Sequence, residues 1–273
     1  MRTSDESNAM FCSCLLKHTN FDGKRILDIG CGNGDLVKYI ARNYSPASVI
    51  GVEPFLEDWG VEECEEDNWC IVSGNAHNLA FDDECFDLVI SFSTFEHIAD
   101  IRKALSEIRR VLRPFGKFYT EFMPVWTSAA GHHFVDSMQS WWNSEHITLI
   151  PPWGHLYMSE KEMHSYLVSE HVDNDLIEKI VKHIYHTNII NRYTRTDLVN
   201  CIMGSGMVIK HYEERISFNR LGMITGEKES ELTDVILQSI QNTPYLVTDL
   251  GVVGMRVCLE KYKEIKSRSG GAI

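Results

Sequence analysis

The sequence predicts an α/β fold in which helices cover both faces of a mainly parallel, doubly wound sheet. Short apolar runs rich in β-branched residues alternate with segments of helical periodicity through the first 122 residues, as in repeated strand–helix–strand units. A glycine-rich turn separates the first run from the helix after it, and the alternation returns near the carboxyl end. The expected strands are 25–29, 48–52, 69–73, 86–91, 116–122, 207–217 and 251–259.

The helices are predicted from the spacing of their apolar residues. The clearest is Ile101 to Leu112, a single apolar stripe behind Asp100 as a candidate N-cap, and Arg113 to Gly116 should end it. A leading helix is expected from Ser4 to His18, and a capping box begins another at Ser159. Further helices are expected around 36–41, 176–184, 196–203 and 232–240.

The alternation breaks after residue 122, and this break suggests three parts. Residues 123–192 hold four of the six tryptophans and eight of the twelve histidines in a stretch rich in helices and loops. We therefore expect a helical and loop cap inserted after the fifth strand. The predicted organisation is 1–122 for the leading helix and ligand-binding half, 123–192 for the cap, and 193–273 for completion of the sheet.

Composition restricts the class of protein. The 273 residues are 44% hydrophobic and 24% charged, which is typical of a globular chain, and the net charge of −13 disfavours nucleic acid as a partner. The polar start and the lack of a span-length apolar run predict a soluble, cytoplasmic protein without a membrane partner. The eight cysteines never form C-x-x-C, so reduced thiols and no metal are expected.

The glycine turn and two acids predict the chemistry of a ligand. In 26–34 the spacing is G-x-G-x-G followed by Asp35, and an acid at the helix start opposes the pyrophosphate of a dinucleotide. Asp28 instead suits a cationic amine. Glu53, at the end of the second strand, can accept both hydroxyls of a ribose. These residues favour a nucleoside that carries an amino acid.

Five consecutive motifs carry a resemblance to a known family. They are ILDIGCGNG, VIGVEP, SGNAHNLAF, FDLVISFSTFEHIAD and ALSEIRRVLRPFGKFYTEF. Together they resemble the class I S-adenosylmethionine-dependent methyltransferases of the type 11 group, over about residues 24–122 and more weakly over 196–217 and 249–260. The resemblance implies a Rossmann-like seven-stranded sheet of the class I methyltransferase type. It also implies S-adenosylmethionine as cofactor and S-adenosylhomocysteine as product.

The resemblance assigns cofactor contacts position by position. Asp28 would hold the methionine amino group, Glu53 the ribose hydroxyls, and Asn75 with Ala76 the adenine. The family often has an acid at the position of Asn75, and Pro-Gly-Gly where this chain has Pro114-Phe115-Gly116. The full implied set of cofactor-binding residues is Asp28, Gly30, Cys31, Gly32, Glu53, Asn75, Ala76 and Ser91.

Candidate catalytic residues come from the histidines beyond the fifth strand. Deprotonation of a hydroxyl needs a base, and His132 and His133 lie just past that strand at the start of the expected cap. Some relatives bind a metal through Glu-His at Glu96-His97, but Ser93 replaces the second acid, so no metal is predicted. His183 and His186 are interpreted as a helix face. The candidate acceptor-binding residues are His97, Trp126, Trp153 and His155, beside Trp141 and Trp142.

The predicted function is methyl transfer to a small-molecule substrate, with a hydroxyl oxygen as the preferred acceptor and histidine-assisted deprotonation. The tryptophans and histidines of the cap, and a loose likeness to sugar-pathway methyltransferases, make a saccharide the first choice, with other secondary metabolites kept open. Two alternatives remain. One is aminocarboxypropyl transfer or cyclisation that releases methylthioadenosine, and the other is a cofactor-binding subunit without turnover. The oligomeric state stays open, a dimer included.

Overall fold

Eight strands form one sheet in the computed structural model, which describes residues 4–59, 64–65, 68–134, 149–216, 244–245 and 247–263. The strands are β1 (Arg25–Ile29), β2 (Ser48–Glu53), β3 (Cys64–Glu65), β4 (Trp69–Ser73), β5 (Phe86–Phe92), β6 (Leu112–Phe122), β7 (Val208–Ile216) and β8 (Val252–Glu260). Their order is β3-β4-β2-β1-β5-β6-β8-β7. The five central strands pair in parallel, whereas β8 is antiparallel to both β6 and β7, and β3 to β4.

The doubly wound sheet predicted from the sequence is confirmed, with all seven expected strands present. The two-residue strand β3 extends its edge and was not predicted. The largest boundary error is at β6, which begins at Leu112 rather than Gly116, and several other strand ends differ by one residue. Leu112 pairs with Phe86 before the register shifts, and Phe115, at a φ of 67°, donates its N–H to the Lys261 carbonyl 2.7 Å away. The expected turn is therefore an irregularity inside a paired strand.

Helices precede or connect the strands, and four of the described helices follow one another between β6 and β7. They are α1 (Ser4–Leu15), α2 (Asp35–Asn43), α3 (Ile101–Val111), α4 (Gly154–Tyr157), α5 (Glu160–Ser169), α6 (Asn174–His186), α7 (Arg195–Met203) and α8 (Val247–Leu250). Asp100 caps α3 by accepting the Lys103 N–H at 3.0 Å, and Ser159 forms the expected capping box. The leading helix ends at Leu15 instead of His18. The helix expected at 232–240 lies outside the described residues.

Two apolar clusters pack on opposite faces of the sheet, as alternating strands and helices require. The first cluster contains Ile101, Leu105 and Ile108 of α3. The second contains Phe11 of α1 and Val37 of α2. A separate cluster lies within residues 123–192 and is formed by Phe134, Ile150, Met163, Leu167, Ile177, Ile180, Val181 and Ile184. None of the described helices has the length and apolar character needed to cross a bilayer.

Candidate active site

The glycine turn after β1 packs against the loop after β5 and against β4. Gly30 and Gly34 have φ values of 73° and 77°, which L side chains rarely adopt. A Cβ on Gly30 would lie 2.2 Å from Thr94 Cγ2, and one on Gly34 would lie 2.1 Å from Ile71 Cδ1. Glycine is therefore required at both positions by conformation and by space.

Cys31 and Ser91, both in the expected cofactor set, hold the turn in place. The Cys31 N–H donates to the Val52 carbonyl at 3.2 Å, and its thiol faces Gly51, where an added Cβ would lie 2.7 Å from the Cys31 Sγ. The fully buried Ser91 hydroxyl donates to the Ile29 carbonyl at 2.9 Å. Both side chains thus link neighbouring strands, and their contact with a cofactor stays a prediction.

Glu53 points back to the glycine turn. Its carboxylate is 7% exposed, and Oε2 accepts the Gly32 N–H at 3.2 Å while Oε1 accepts the Phe55 N–H at 3.2 Å. Each carboxylate oxygen keeps a further lone pair. The acid is therefore held in one orientation at the end of β2 and can still accept two hydroxyl hydrogens.

Asp28 is a buried carboxyl group. It is 2% exposed, and no hydrogen bond contributes to the shift of its pKa. Burial, followed by the nearby charge of Glu53, raises the pKa of Asp28 to about 7. An acid with these properties next to a glycine turn fits a ligand that brings a cationic amine.

The predicted adenine contact is partly occupied by the chain itself. Asn75 Oδ1 accepts the His77 N–H at 2.8 Å, which closes an Asx turn. The Asn75 side chain is exposed, and the turn uses only its oxygen. Its amide nitrogen is therefore the group that can donate to a ligand. Ala76, next to it, is 9% exposed and packs into the core under α3.

The structure brings the predicted histidines together, and the adjacent pair points in two directions. The ring of His133 lies 5.3 Å from that of His97, in the loop after β5, whereas His132 lies 5.4 Å from His155. His183 of α6 joins them by donating from Nε2 to the His132 carbonyl at 2.7 Å. Sequence reasoning had placed His183 on an ordinary helix face, because the contact spans 51 residues.

Hydrogen bonds set the tautomers of these rings. A carbonyl can only accept, so His97 carries its proton on Nδ1 for Ile189 at 2.8 Å, and His155 carries its proton on Nε2 for Trp126 at 2.7 Å. His132 Nδ1 instead accepts the Phe134 N–H at 3.0 Å. Burial lowers the pKa of His133 to about 3, with smaller contributions from His97 and His183, and that of His155 to about 4.

The two described tryptophans of this region are core residues. Trp126 is 7% exposed, with its ring 4.7 Å from His155 and the Arg192 guanidinium 5.1 Å above it. Trp153 is 1% exposed, and its indole N–H is shared by the Thr127 and Leu250 carbonyls. The turn at 151–154 therefore does not present the Trp153 ring at a surface, and acceptor contact by these rings stays a prediction. Trp141 and Trp142 lie outside the described residues.

Glu96 is a site residue that sequence reasoning considered only as a metal ligand. It is 2% exposed, its Oε2 has no hydrogen-bond partner in the described residues, and burial raises its pKa to about 8. The signal in the sequence is an acid directly after Phe95 and two residues before Ile98. The described residues contain no group of three or more metal-ligating side chains.

Part of the chain is similar in sequence to known methyltransferases. Residues 27–120 match a family model described as a methyltransferase domain. The chain is 33% identical over 132 residues to the phthiotriol/phenolphthiotriol dimycocerosates methyltransferase of Mycobacterium tuberculosis, covering 45% of this chain and 48% of that protein. It is 35% identical over 131 residues to the fatty-acid O-methyltransferase of Mycolicibacterium smegmatis, covering 44% and 46%. The chain thus spans about half the length of these curated relatives.

A solved structure shows the same fold. The S-adenosylmethionine-dependent methyltransferase of Mesorhizobium loti aligns with a TM-score of 0.53 at 14% identity, over 94% of this chain and 100% of that one. Residues 27–120 are thus similar to a methyltransferase domain in sequence, and the chain shares the fold of that structure. The matched family model and the shared fold imply S-adenosylmethionine as the cofactor. The buried carboxyl group of Asp28 and the oriented Glu53 fit its ammonium group and its ribose.

Proposed function

We propose that the protein transfers the methyl group of S-adenosylmethionine to an oxygen atom of a small molecule or lipid. The observation that carries the proposal is the pairing of His133 with His97, rings 5.3 Å apart, beside the loop whose Thr94 hydroxyl donates to the Gly30 carbonyl at 3.3 Å. This contact brings an imidazole to the edge of the sheet where Asp28 and Glu53 would hold the cofactor. Ligands of open α/β sheets bind at that edge.

The cofactor would be held by the residues at the ends of β1, β2 and β4. Asp28 takes the amino group, Glu53 the ribose hydroxyls, and the backbone at Gly30 and Gly32 forms the floor. Asn75, with Ala76 beside it, contacts the adenine through its amide nitrogen, because its oxygen is used in the Asx turn. When bound, S-adenosylmethionine supplies an electrophilic methyl group on a sulfonium.

His133 is proposed as the base that takes the hydroxyl proton. Its lowered pKa keeps the ring neutral at physiological pH, and a neutral imidazole has one unprotonated nitrogen. His132, the other candidate, is turned toward His155 and uses Nδ1 to accept the Phe134 N–H. The His97 ring, oriented by Ile189, positions the acceptor or the base rather than a metal.

Residues 123–192 are proposed as the cap over the acceptor. Their apolar cluster, which contains Phe134 and Ile150, lies directly behind the histidines, since His183 contacts both Phe134 and the His132 carbonyl. The relatives are named for lipid acceptors, and one of them for transfer to oxygen. This favours a lipid-like hydroxyl or carboxyl acceptor over the saccharide suggested by the sequence.

The test measures methylation of defined probes by the full chain. A long-chain fatty acid, a long-chain alcohol and a methyl glycoside are each incubated with methyl-deuterated S-adenosylmethionine, and products are detected by mass spectrometry. His133→Asn is the informative variant because asparagine tolerates the φ of 49° at this position. His164→Asn, on the exposed surface of α5, is the matched control.

We expect one lipid probe to gain the label. With the alcohol as acceptor, His133→Asn should lower kcat about 10²- to 10⁴-fold while cofactor affinity is unchanged, because a hydroxyl must lose its proton whereas an ionised fatty acid has none to lose. His164→Asn should behave as the parent protein. Equal rates for the two variants would rule out His133 as the base. Labelling of the glycoside alone would return the acceptor to the saccharide class.

A further inference from the structure

The leading helix α1 packs on one face of the sheet, with Phe11 next to the carboxyl end of β5. At its carboxyl end, His18 accepts a hydrogen bond from Lys117 through its carbonyl at 2.5 Å and lies on the ring of Tyr119. One and a half to two turns earlier, Phe11 lies 4.6 Å from Phe92, the last residue of β5. The helix therefore runs antiparallel to β5 and β6, and its first residues lie at the carboxyl ends of those strands.

The buried face of α1 is directed at Asp28. Cys12, one residue after Phe11, packs in the same cluster as Cys31 and Leu36 of the glycine turn and α2. Burial raises the pKa of the Cys12 thiol to about 12, and the charge of Asp28 contributes to the rise. Cys12 therefore lies near the Asp28 carboxyl group.

Asn8 lies one turn before Cys12 on this face. Residues four apart share a face, and the rise of 1.5 Å per residue puts Asn8 about 6 Å further toward the carboxyl edge. The side chain is 9% exposed, and its Nδ2 has no acceptor among the described residues. A buried N–H donor without a partner is destabilising, and nearly all such groups in folded proteins are paired, so Asn8 is suited to a ligand oxygen.

We propose that the Asn8 amide donates a hydrogen bond to the carboxylate of the methionine arm of S-adenosylmethionine. The inference rests on the cofactor part of the proposed function. Asp28 would bind the ammonium group of the same arm and repel its carboxylate. The carboxylate would then turn toward α1. Residues 4–15 contain no lysine or arginine, so a neutral amide is the buried donor that this helix offers.

The proposal is tested by titration calorimetry of the full chain with two ligands that differ only in the carboxylate. These are S-adenosylmethionine and decarboxylated S-adenosylmethionine, which keeps the amine and the sulfonium. The variants are Asn8→Leu, which removes the donor at similar volume, and Asn8→Asp, which replaces it with a negative charge. Asn20→Leu is the control, because Asn20 is exposed just beyond the same helix.

We expect Asn8→Leu to weaken S-adenosylmethionine binding about 10- to 100-fold, which corresponds to one hydrogen bond to a charged group, and to leave binding of the decarboxylated ligand within about twofold. Asn8→Asp should weaken S-adenosylmethionine further and spare the decarboxylated ligand. Because Asn8→Leu removes an unpaired polar group, the ligand-free variant should melt at or above the parent temperature.

Three results would overturn the proposal: an equal loss for both ligands, no loss for either, or tighter binding of S-adenosylmethionine by Asn8→Asp. The last result would mean that the amide oxygen, not the nitrogen, faces the ligand. Failure of the proposed function is a separate observation, because the unmodified protein would then bind neither ligand.

Discussion

Glu53 Oε2 accepts the backbone N–H of Gly32 at 3.2 Å, so the acid that ends β2 is tied directly to the glycine turn that follows β1. The Phe55 N–H holds the other carboxylate oxygen at the same distance. A carboxylate fixed in this way loses little side-chain entropy when a ribose binds. Glu53 and the glycine turn are thus held together as a unit before a ligand binds.

Glu53→Gln should weaken S-adenosylmethionine binding by about 1–3 kcal/mol, because a charged acceptor for the ribose hydroxyls becomes neutral. Titration calorimetry measures the change. Glu57→Gln, on the exposed turn four residues later, is the control and should bind as the parent does. Unchanged affinity in Glu53→Gln would show that the ribose lies elsewhere.

Cofactor binding should depend on pH through Asp28. In the ligand-free protein its pKa is about 7, so near pH 6 the group is mainly protonated, and pairing with an ammonium group lowers that pKa and releases a proton. Affinity should therefore rise from pH 6 to 7. Calorimetry at pH 6 in buffers of different ionisation enthalpy should find close to one proton released, and none for Asp28→Asn. Proton uptake on binding would contradict the assignment.

Gly30→Ala should unfold the protein more readily than Gly23→Ala. Both glycines have positive φ, 73° and 66°, so both variants incur the left-handed strain of about 1–2 kcal/mol. Only at Gly30 would the new Cβ meet Thr94, 2.2 Å away, whereas nothing lies within 4 Å at Gly23. Denaturant unfolding compares the two free energies, and equal losses would show that the turn can move away from Thr94.

His155 should lower stability in acid. Its pKa of about 4 in the folded protein lies below the ordinary value of 6.5, so the unfolded chain binds the proton first as pH falls. The part of the unfolding free energy that depends on neutral His155 is lost as the pH falls from 6.5 to 4. From pH 7 to 5.5, the parent should lose about 1 kcal/mol more of its unfolding free energy than His155→Gln, which does not titrate. Urea titrations at both pH values measure this difference, and parallel losses would mean that His155 is exposed to water.

The positions of Asp28 and Glu53 could be predicted from the sequence because they follow local rules. Asp28 lies in β1 and Glu53 ends β2, and these strands pair in parallel, so the strand pattern alone brings both acids to one edge. The start of β6 was not predicted because Phe115 adopts a positive φ, and the sequence does not indicate this conformation. A turn was the better prediction from Pro114 and Gly116 alone.

For residues 123–192, the proposed cap, the sequence predicted only the types of residue that would be present. Trp153 is buried because Thr127 and Leu250, which are 26 and 97 residues away, accept its indole N–H. His183 meets the His132 carbonyl across 51 residues, and Glu96 is 2% exposed although it is an acid. Periodicity predicts which face of an element is apolar, and it does not predict which distant carbonyl will meet a polar atom.

The central claim, methyl transfer from S-adenosylmethionine, is tested most directly by identifying the cofactor fragments after turnover. The purified full chain is incubated with methyl-deuterated S-adenosylmethionine and the lipid probes, and both sides of the reaction are quantified by mass spectrometry. We predict S-adenosylhomocysteine and a trideuteromethylated product in equal amounts. Methylthioadenosine without a labelled product, or bound cofactor that is never consumed, would contradict methyl transfer.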